Sequence, residues 1–416
     1  MKVHYILCFC ASLLMPAIVG CGGGSVSPAA NSSSSNTTGN AGGSSGSTST
    51  GGTTATSGPS APSASAFLYV GLDDGYSYYG NIAHTGHASI AGYSVASDGS
   101  LQAAPGSPYV SPSMALAANG RSSTLYAASG QTLNTDRINA DGSLTTISTL
   151  SAQPLTPSIG IYEDLSFDPA AQLLYAVANH GAGDEFFEIY RTGGDGSLAG
   201  NGSQQSSVST YHLSFTSDGK RAYEPFCYHL DSQIFGWNVG TDGKLTAFST
   251  KASIPTIDGT YPPCPHALAI SPDGKYLAAP LNSVTTPTGA LEIWTINADG
   301  TLSAIAGSPF PRNAISSDLA WDASGRYIAV AAKDGLWIYS FSAGAAPAPV
   351  GGGPIVSGAI DHLAFNKAGT LLFATNSSAQ SLYVFSFSSS SGAATPAPGS
   401  PHATSLAPYE LVIAER

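Results

Sequence analysis

Residues His266 to Pro280 read HALAISPDGKYLAAP, and the reading of this stretch decides the fold. It parses as a short strand, a tight Ser-Pro-Asp-Gly turn and a second strand. Gly274 supplies the positive φ that such a turn requires, and Pro272 presets its entry. Small and branched apolar residues alternate on both sides, as suits strands packed between neighbouring sheets. Weaker copies begin at Met114 (MALAANGRSSTLYAAS), Asp164 (DLSFDPAAQLLYAVAN), His212 (HLSFTSDGKRAYEPFC), Asp318 (DLAWDASGRYIAVAAK) and His362 (HLAFNKAGTLLFATN). Their starts lie about 44 to 54 residues apart, the period of a four-stranded propeller blade.

Seven second strands can be counted: FLYVG at 67–71, TLYAAS, LLYAVAN, RAYEPFC, YLAAPLN, YIAVAAK and LLFATN. Third strands follow as IAGYSV, FEIYRT, IFGWNV, LEIWTI, LWIYSF and LYVFSF. Five blades then carry Asp-Gly-x-Leu, at Asp98, Asp141, Asp195, Asp242 and Asp299. Asp-Gly between alternating strands is a hairpin signal, and it predicts a type I′ turn between strands three and four. The first blade lacks a first strand ahead of Phe67. Tyr409-Glu410-Leu411-Val412-Ile413 has the missing pattern at the other end. The expectation is an all-β, seven-bladed propeller whose C-terminal strand completes blade one and leaves no free edge.

Ahead of the repeats, Lys2 gives a short basic region, and Tyr5 to Val19 is an apolar run too short to span a bilayer. It ends Ile18-Val19-Gly20-Cys21, which resembles a bacterial lipobox, with Cys21 as the lipidated residue. Residues 22–65 are almost wholly Gly, Ser, Thr, Asn, Ala and Pro, too poor in apolar surface to offset the entropy of ordering. The division expected is therefore a signal peptide over 1–20, a flexible linker over 21–65 and a propeller over 66–416. The protein is placed at the cell envelope, lipid-anchored and monomeric, with Gly22 favouring the outer membrane.

A net charge of -12 with only 14 Lys plus Arg argues against nucleic acid as a partner. No phosphate loop, Gly-x-Ser-x-Gly elbow or haem motif occurs, and no cofactor is expected. The histidines point elsewhere. In an antiparallel blade, first-strand starts and second-strand ends share one face. His212, His266 and His362 begin first strands, and His84, His87, His180 and His229 follow second strands. Asp164, Asp318, Asp361 and Glu410 join them, so a binding face over the central channel is expected. Cys227 and Cys264 fall on that face in adjacent blades. A disulfide is the reading an oxidising envelope favours. The two Cys-x-His pairs, Cys227-Tyr228-His229 and Cys264-Pro265-His266, leave a zinc site as the alternative.

The Pro-Asp-Gly turn, the Asp-Gly-x-Leu hairpins and the exits Gly106-Ser107-Pro108-Tyr109 and Gly307-Ser308-Pro309-Phe310 resemble the β-propeller lactonase family over about 66–416. Members of that family are similar to 6-phosphogluconolactonase and carboxymuconate cyclase. The resemblance implies that Pro265-His266 sits at the channel mouth, where the family gathers histidine, arginine and acids. The sequence departs from the pattern where Pro280-Leu281-Asn282 follows the second strand and where Tyr211 precedes His212. Without an arginine to hold an oxyanion, the family's electrostatic component is missing. A binding module for a small molecule, glycan or protein is therefore expected. The alternative is a lactone hydrolase or related lyase in which His266 or His212 is general base, oriented by Asp164, Asp318 or Glu410.

Overall fold

In the computed structural model, every copy of the opening stretch becomes two antiparallel strands in one of seven sheets. The structure describes residues 66–73, 88–151, 161–168, 170–179, 185–205, 212–228, 231–248 and 252–415. The expected signal peptide, linker and lipidation site at Cys21 lie outside the described residues, as do His84, His87, His180 and His229. The propeller lies within Ala64–Arg416, and its described residues hold strands and one short 3-10 turn but no α-helix.

Blade one shows how the ring closes. Its second strand, Ala66–Asp73, pairs on one side with Ser89–Val95 and on the other with Ala407–Glu415. The register runs from Ala66 opposite Glu415 to Asp73 opposite Ala407. The C-terminal strand therefore occupies the innermost position and abolishes an edge that would otherwise expose unpaired backbone groups. Blades two to seven are each built from consecutive chain.

Seven apolar clusters fill the seven seams between neighbouring blades. Second strands dominate them, because a strand buried on both faces reads as a nearly continuous apolar run. Leu68 and Val70 meet Phe373 and Val384 across the seam between blades one and seven, all at 0 % exposure. Each such side chain contributes about 1.5–3 kcal/mol by burial.

The two rims of the disc are built differently. On one rim lie the turns between strands one and two and the Asp-Gly hairpins. The hairpins are not type I′. In each of the five, only the glycine has positive φ, and the loop has three residues, as at Ala96–Ser100, where the Ala96 amide donates to Ser100 and the Gly99 amide donates back to Ala96. This is a type I turn ending in a left-handed residue. The aspartate stays in the right-handed region, where its carboxylate accepts the amide two residues on.

A tyrosine on each of four second strands reaches into the next blade's hairpin. The hydroxyls of Tyr69, Tyr126, Tyr175 and Tyr223 donate to the carbonyls of Gly142, Gly196, Gly243 and Gly300, at 2.7 to 3.0 Å. Gly142 shows why the turn needs glycine: φ is 83°, and a Cβ there would lie 2.5 Å from the Phe67 ring. Arg191, Arg221 and Arg326 add bonds to hairpin carbonyls of the following blade.

Candidate functional site

The seven first strands, whose starts form the opposite rim, can be aligned on the residue that enters their turn: Asn119, Asp168, Thr216, Ser271, Asp322, Asn366 and, on the closing strand, Ala414. The position four residues earlier holds, from blade one to blade seven, Glu410, Ala115, Asp164, His212, Ala267, Asp318 and His362. A local irregularity delivers several of these side chains to the mouth. The pairing slips by one residue between Val177 and Ala178, between Ser316 and Asp318, and between Gly71 and Leu72. The slip inserts one extra residue (Glu163, Ser317 and Tyr409) just before the acid. A bulge of this kind bends the strand and re-aims the next side chain.

His266 is the correction this register forces. It was expected to join His212 and His362, but Ala267 holds the equivalent position and His266 is the extra residue of blade five. Cys264–Pro265 and Ala269–Ile270 pair with the second strand one residue out of step with each other. A one-residue offset turns a strand side chain to the other face. His266 stands exposed at the mouth, yet crowded enough that desolvation lowers its imidazole pKa. His402, on the same rim, belongs to the outermost part of blade seven, opposite Leu382.

The remaining five groups come together as a pair and a triad, separated by the alanines of blades two and five. In the pair, His212 Nδ1 lies 2.8 Å from Asp164 Oδ2, with Ser166 Oγ at 3.3 Å. In the triad, His362 Nδ1 lies 3.8 Å from Asp318 Oδ2 and 4.0 Å from Glu410 Oε2. Asp318 also accepts the Leu319 and Leu363 amides and so ties blade six to blade seven. The His212 and His362 side chains remain 42 % and 36 % exposed, so the channel reaches both.

These groups set one another's protonation. Desolvation works against the charged form of His362, but Glu410, Asp318 and Asp361 outweigh it and raise its pKa to about 9. His212 is raised in the same way, with desolvation opposed chiefly by Asp164. Burial pushes the Glu410 carboxyl up to about 7; His362 pulls it down, and Asp164 and Asp318 add to the rise. At neutral pH the His362 imidazole is a cation, which removes it as a general base and makes it a hydrogen-bond donor, and the shift of His212 runs in the same direction. Lys333 and Arg312 stand on this rim too, each beside an acid: Lys333 lies 3.2 Å from Asp361, and Arg312 lies 3.2 Å from Asp334.

Cys227 and Cys264 are joined as a disulfide between blades four and five on the mouth rim, with Cα atoms 5.3 Å apart and a sequence separation of 37. A crosslink of that span contributes about 3–4 kcal/mol by chain entropy. The bond takes both thiols from the alternative zinc site. Among the described residues, no group of three His, Cys, Asp or Glu could hold a metal. Among those residues, too, no helix is long and apolar enough to cross a membrane.

The sequence pattern placed Asp361 on this rim but gave no sign of Ser166, of Lys333 as the partner of Asp361, or of the bulges, none of which has a signature in the apolar pattern. No protein-family model matches the sequence, and no curated protein matches it either. Solved structures do. A periplasmic gluconolactonase from Pseudomonas aeruginosa matches at 18 % identity and a TM-score of 0.62, over 84 % of this chain and 99 % of that one. A Bacteroides uniformis protein provisionally named 6-phosphogluconolactonase matches at 16 % identity and a TM-score of 0.64, over the same 84 % and 99 %. A second such protein, from Bacteroides fragilis, matches at 16 % identity and 0.61, over 86 % of this chain and 99 % of that one. At these identities the likeness establishes the fold: the chain is a seven-bladed β-propeller of the shape those proteins share.

Proposed function

We propose that the protein is a ligand-binding propeller whose channel mouth takes an uncharged polyhydroxylated or cationic small molecule, such as a glycan end. One observation carries this reading. The seven aligned mouth positions hold three carboxylates, two imidazoles and two alanines, with no arginine or lysine. Carboxylates that accept and imidazole N–H groups that donate suit hydroxyl-rich ligands, whereas a phosphorylated or carboxylate ligand meets more carboxylates than imidazoles. The solved relatives named as gluconolactonases lend the fold to this reading but not the substrate. The Ile18-Val19-Gly20-Cys21 pattern and the Gly/Ser-rich stretch after it support a lipid-anchored protein of the cell envelope. Loss of palmitate labelling in Cys21→Ser would test that anchor.

Calorimetric titration with neutral sugars, amines and sugar phosphates tests the binding reading. Neutral or cationic compounds are expected to bind, and Asp164→Asn with Asp318→Asn to weaken them at least tenfold. Binding confined to phosphorylated compounds would reverse the assignment.

A second reading rests on Glu410 and His362. A carboxyl at about 7 beside an imidazolium at about 9 is a matched base and acid. In hydrolysis of an uncharged lactone, ionised Glu410 takes a proton from water as the water oxygen bonds to the carbonyl carbon. The ring C–O bond then breaks, and His362 returns a proton to the departing oxygen. Turnover would rise with pH through about 7, as Glu410 ionises, and fall through about 9, as His362 loses its proton. A lactone panel assayed across that window, with Glu410→Gln as control, separates the readings: no turnover leaves the binding module.

A further inference from the structure

We infer that Glu292 is a buried acid that makes the seam between blades four and five a proton-dependent joint, firm when the carboxyl is protonated and loosened when it ionises. Glu292 lies on the third strand of blade five, Gly289–Ile296, at 0 % exposure. Neither of its carboxyl oxygens has a hydrogen-bond partner. Its neighbours along the strand, Ala290 and Trp294, pack with Tyr223 and Ile234 of blade four, which places the carboxyl in that seam.

Two other buried glutamates show what is absent. Glu224, on blade four, accepts the Trp237 indole N–H at 2.8 Å. Glu188 occupies on blade three the position that Glu292 occupies on blade five, and it accepts the hydroxyls of Tyr162 and Tyr190 at 2.8 and 2.6 Å. Where blade three has those tyrosines, blade five has Pro265 and Trp294, neither of which carries a hydroxyl. In blades four, six and seven the equivalent position is Phe235, Trp337 and Tyr383, so the fold accepts an aromatic ring there.

Among the described residues, the groups around Glu292 offer its charge no counterion. Its own strand carries no other charged residue. On the adjoining strand Phe310–Arg312, Arg312 turns to blade six, over Trp337 and Tyr339. On the second strand of blade five the titratable group is Tyr276, which packs against Trp321 and Phe341 of blade six. From blade four come Tyr223, whose hydroxyl is bound to Gly300, and Cys227, held in its disulfide. Asp231 of that blade is exposed and bound to Gln233. The Ser308 hydroxyl, which accepts the Ile293 amide, is a polar neighbour whose own proton can turn toward Glu292, but it is a neutral dipole and not a counterion.

Burial accordingly pushes the Glu292 carboxyl from its ordinary 4.5 to about 7, with Ser308 acting weakly in the other direction. A carboxyl raised in the folded state binds more protons there than in the unfolded chain. Stability therefore falls as pH climbs from 4.5 through about 7, and levels off above. Other groups titrate in the same window, so the difference between wild type and variant is the quantity to read.

Urea unfolding of the full chain as wild type, E292Q and E292L tests the joint. The wild-type unfolding constant is expected to rise on the order of a hundredfold relative to either variant between about pH 4.5 and about pH 7.5. Infrared difference spectra at about pH 6 should show a protonated-carboxyl band in wild type that E292Q lacks. Equal pH slopes in all three proteins, or no such band, would overturn the inference. E292L keeps the test valid if E292Q folds poorly, because aromatic side chains at this position in other blades show that it tolerates apolar bulk.

Discussion

The two rims of this propeller divide the work. On the hairpin rim the same solution recurs from blade to blade: Asp-Gly turns whose carboxylates hold their own backbone, tyrosines locked onto the next blade's glycine carbonyl, and arginines bound to hairpin oxygens. On the mouth rim, aligned positions carry glutamate, alanine, aspartate or histidine. Repetition belongs to closure and stability. Variation is what the proposed binding role calls for, because a bulged strand start can change its side chain without disturbing the seam behind it.

The sharpest way to break this division is to remove Ala407–Glu415. That strand serves both rims, since it pairs along the whole of Ala66–Asp73 and also carries Glu410. Its loss is expected to abolish cooperative thermal unfolding of the entire ring, and a truncated chain melting at the wild-type temperature would contradict the closure.

A smaller effect separates the rims. Replacing Tyr69, Tyr126, Tyr175 or Tyr223 by Phe leaves a buried carbonyl unpaired, at about 1–3 kcal/mol each in denaturant unfolding. Ligand affinity at the mouth should stay unchanged, and a matching fall in affinity would show that the rims are coupled.

The smallest change in stability should come from Asp318→Asn, which removes an anion beside a partly exposed imidazole and replaces one of the two oxygens that accept the Leu319 and Leu363 amides, at about 1 kcal/mol. Its mark is on protonation. In an NMR titration His362 should move down from about 9, and no movement would dissolve the proposed triad. Because His362 is raised in the folded state, its contribution is full below its ordinary value of 6.5 and fades as pH passes about 9.

The architecture was legible because turn chemistry and strand period repeat, and because the pattern missing at Phe67 reappears at Tyr409. The site was legible only in part. Asp164, His212, Asp318, His362 and Glu410 meet as their shared position predicts, whereas His266 looks equivalent in sequence and is one residue out of step. Apolar periodicity cannot register an inserted bulge residue, since Leu268 keeps its place in the seam either way. The hairpins misled for a related reason: Asp-Gly suits two kinds of turn, and the three-residue loop that separates them shows only in the backbone bonds. Glu292 carried no signal, because Leu-Glu-Ile reads like any strand with one polar neighbour.

Ala66 and Glu415 face each other across one strand pair. Both are on the hairpin side, so the polypeptide comes in and goes out by the back of the disc. A fusion partner joined at either residue would therefore be attached on the rim away from Glu410 and His362, and the charged opening would keep its own face.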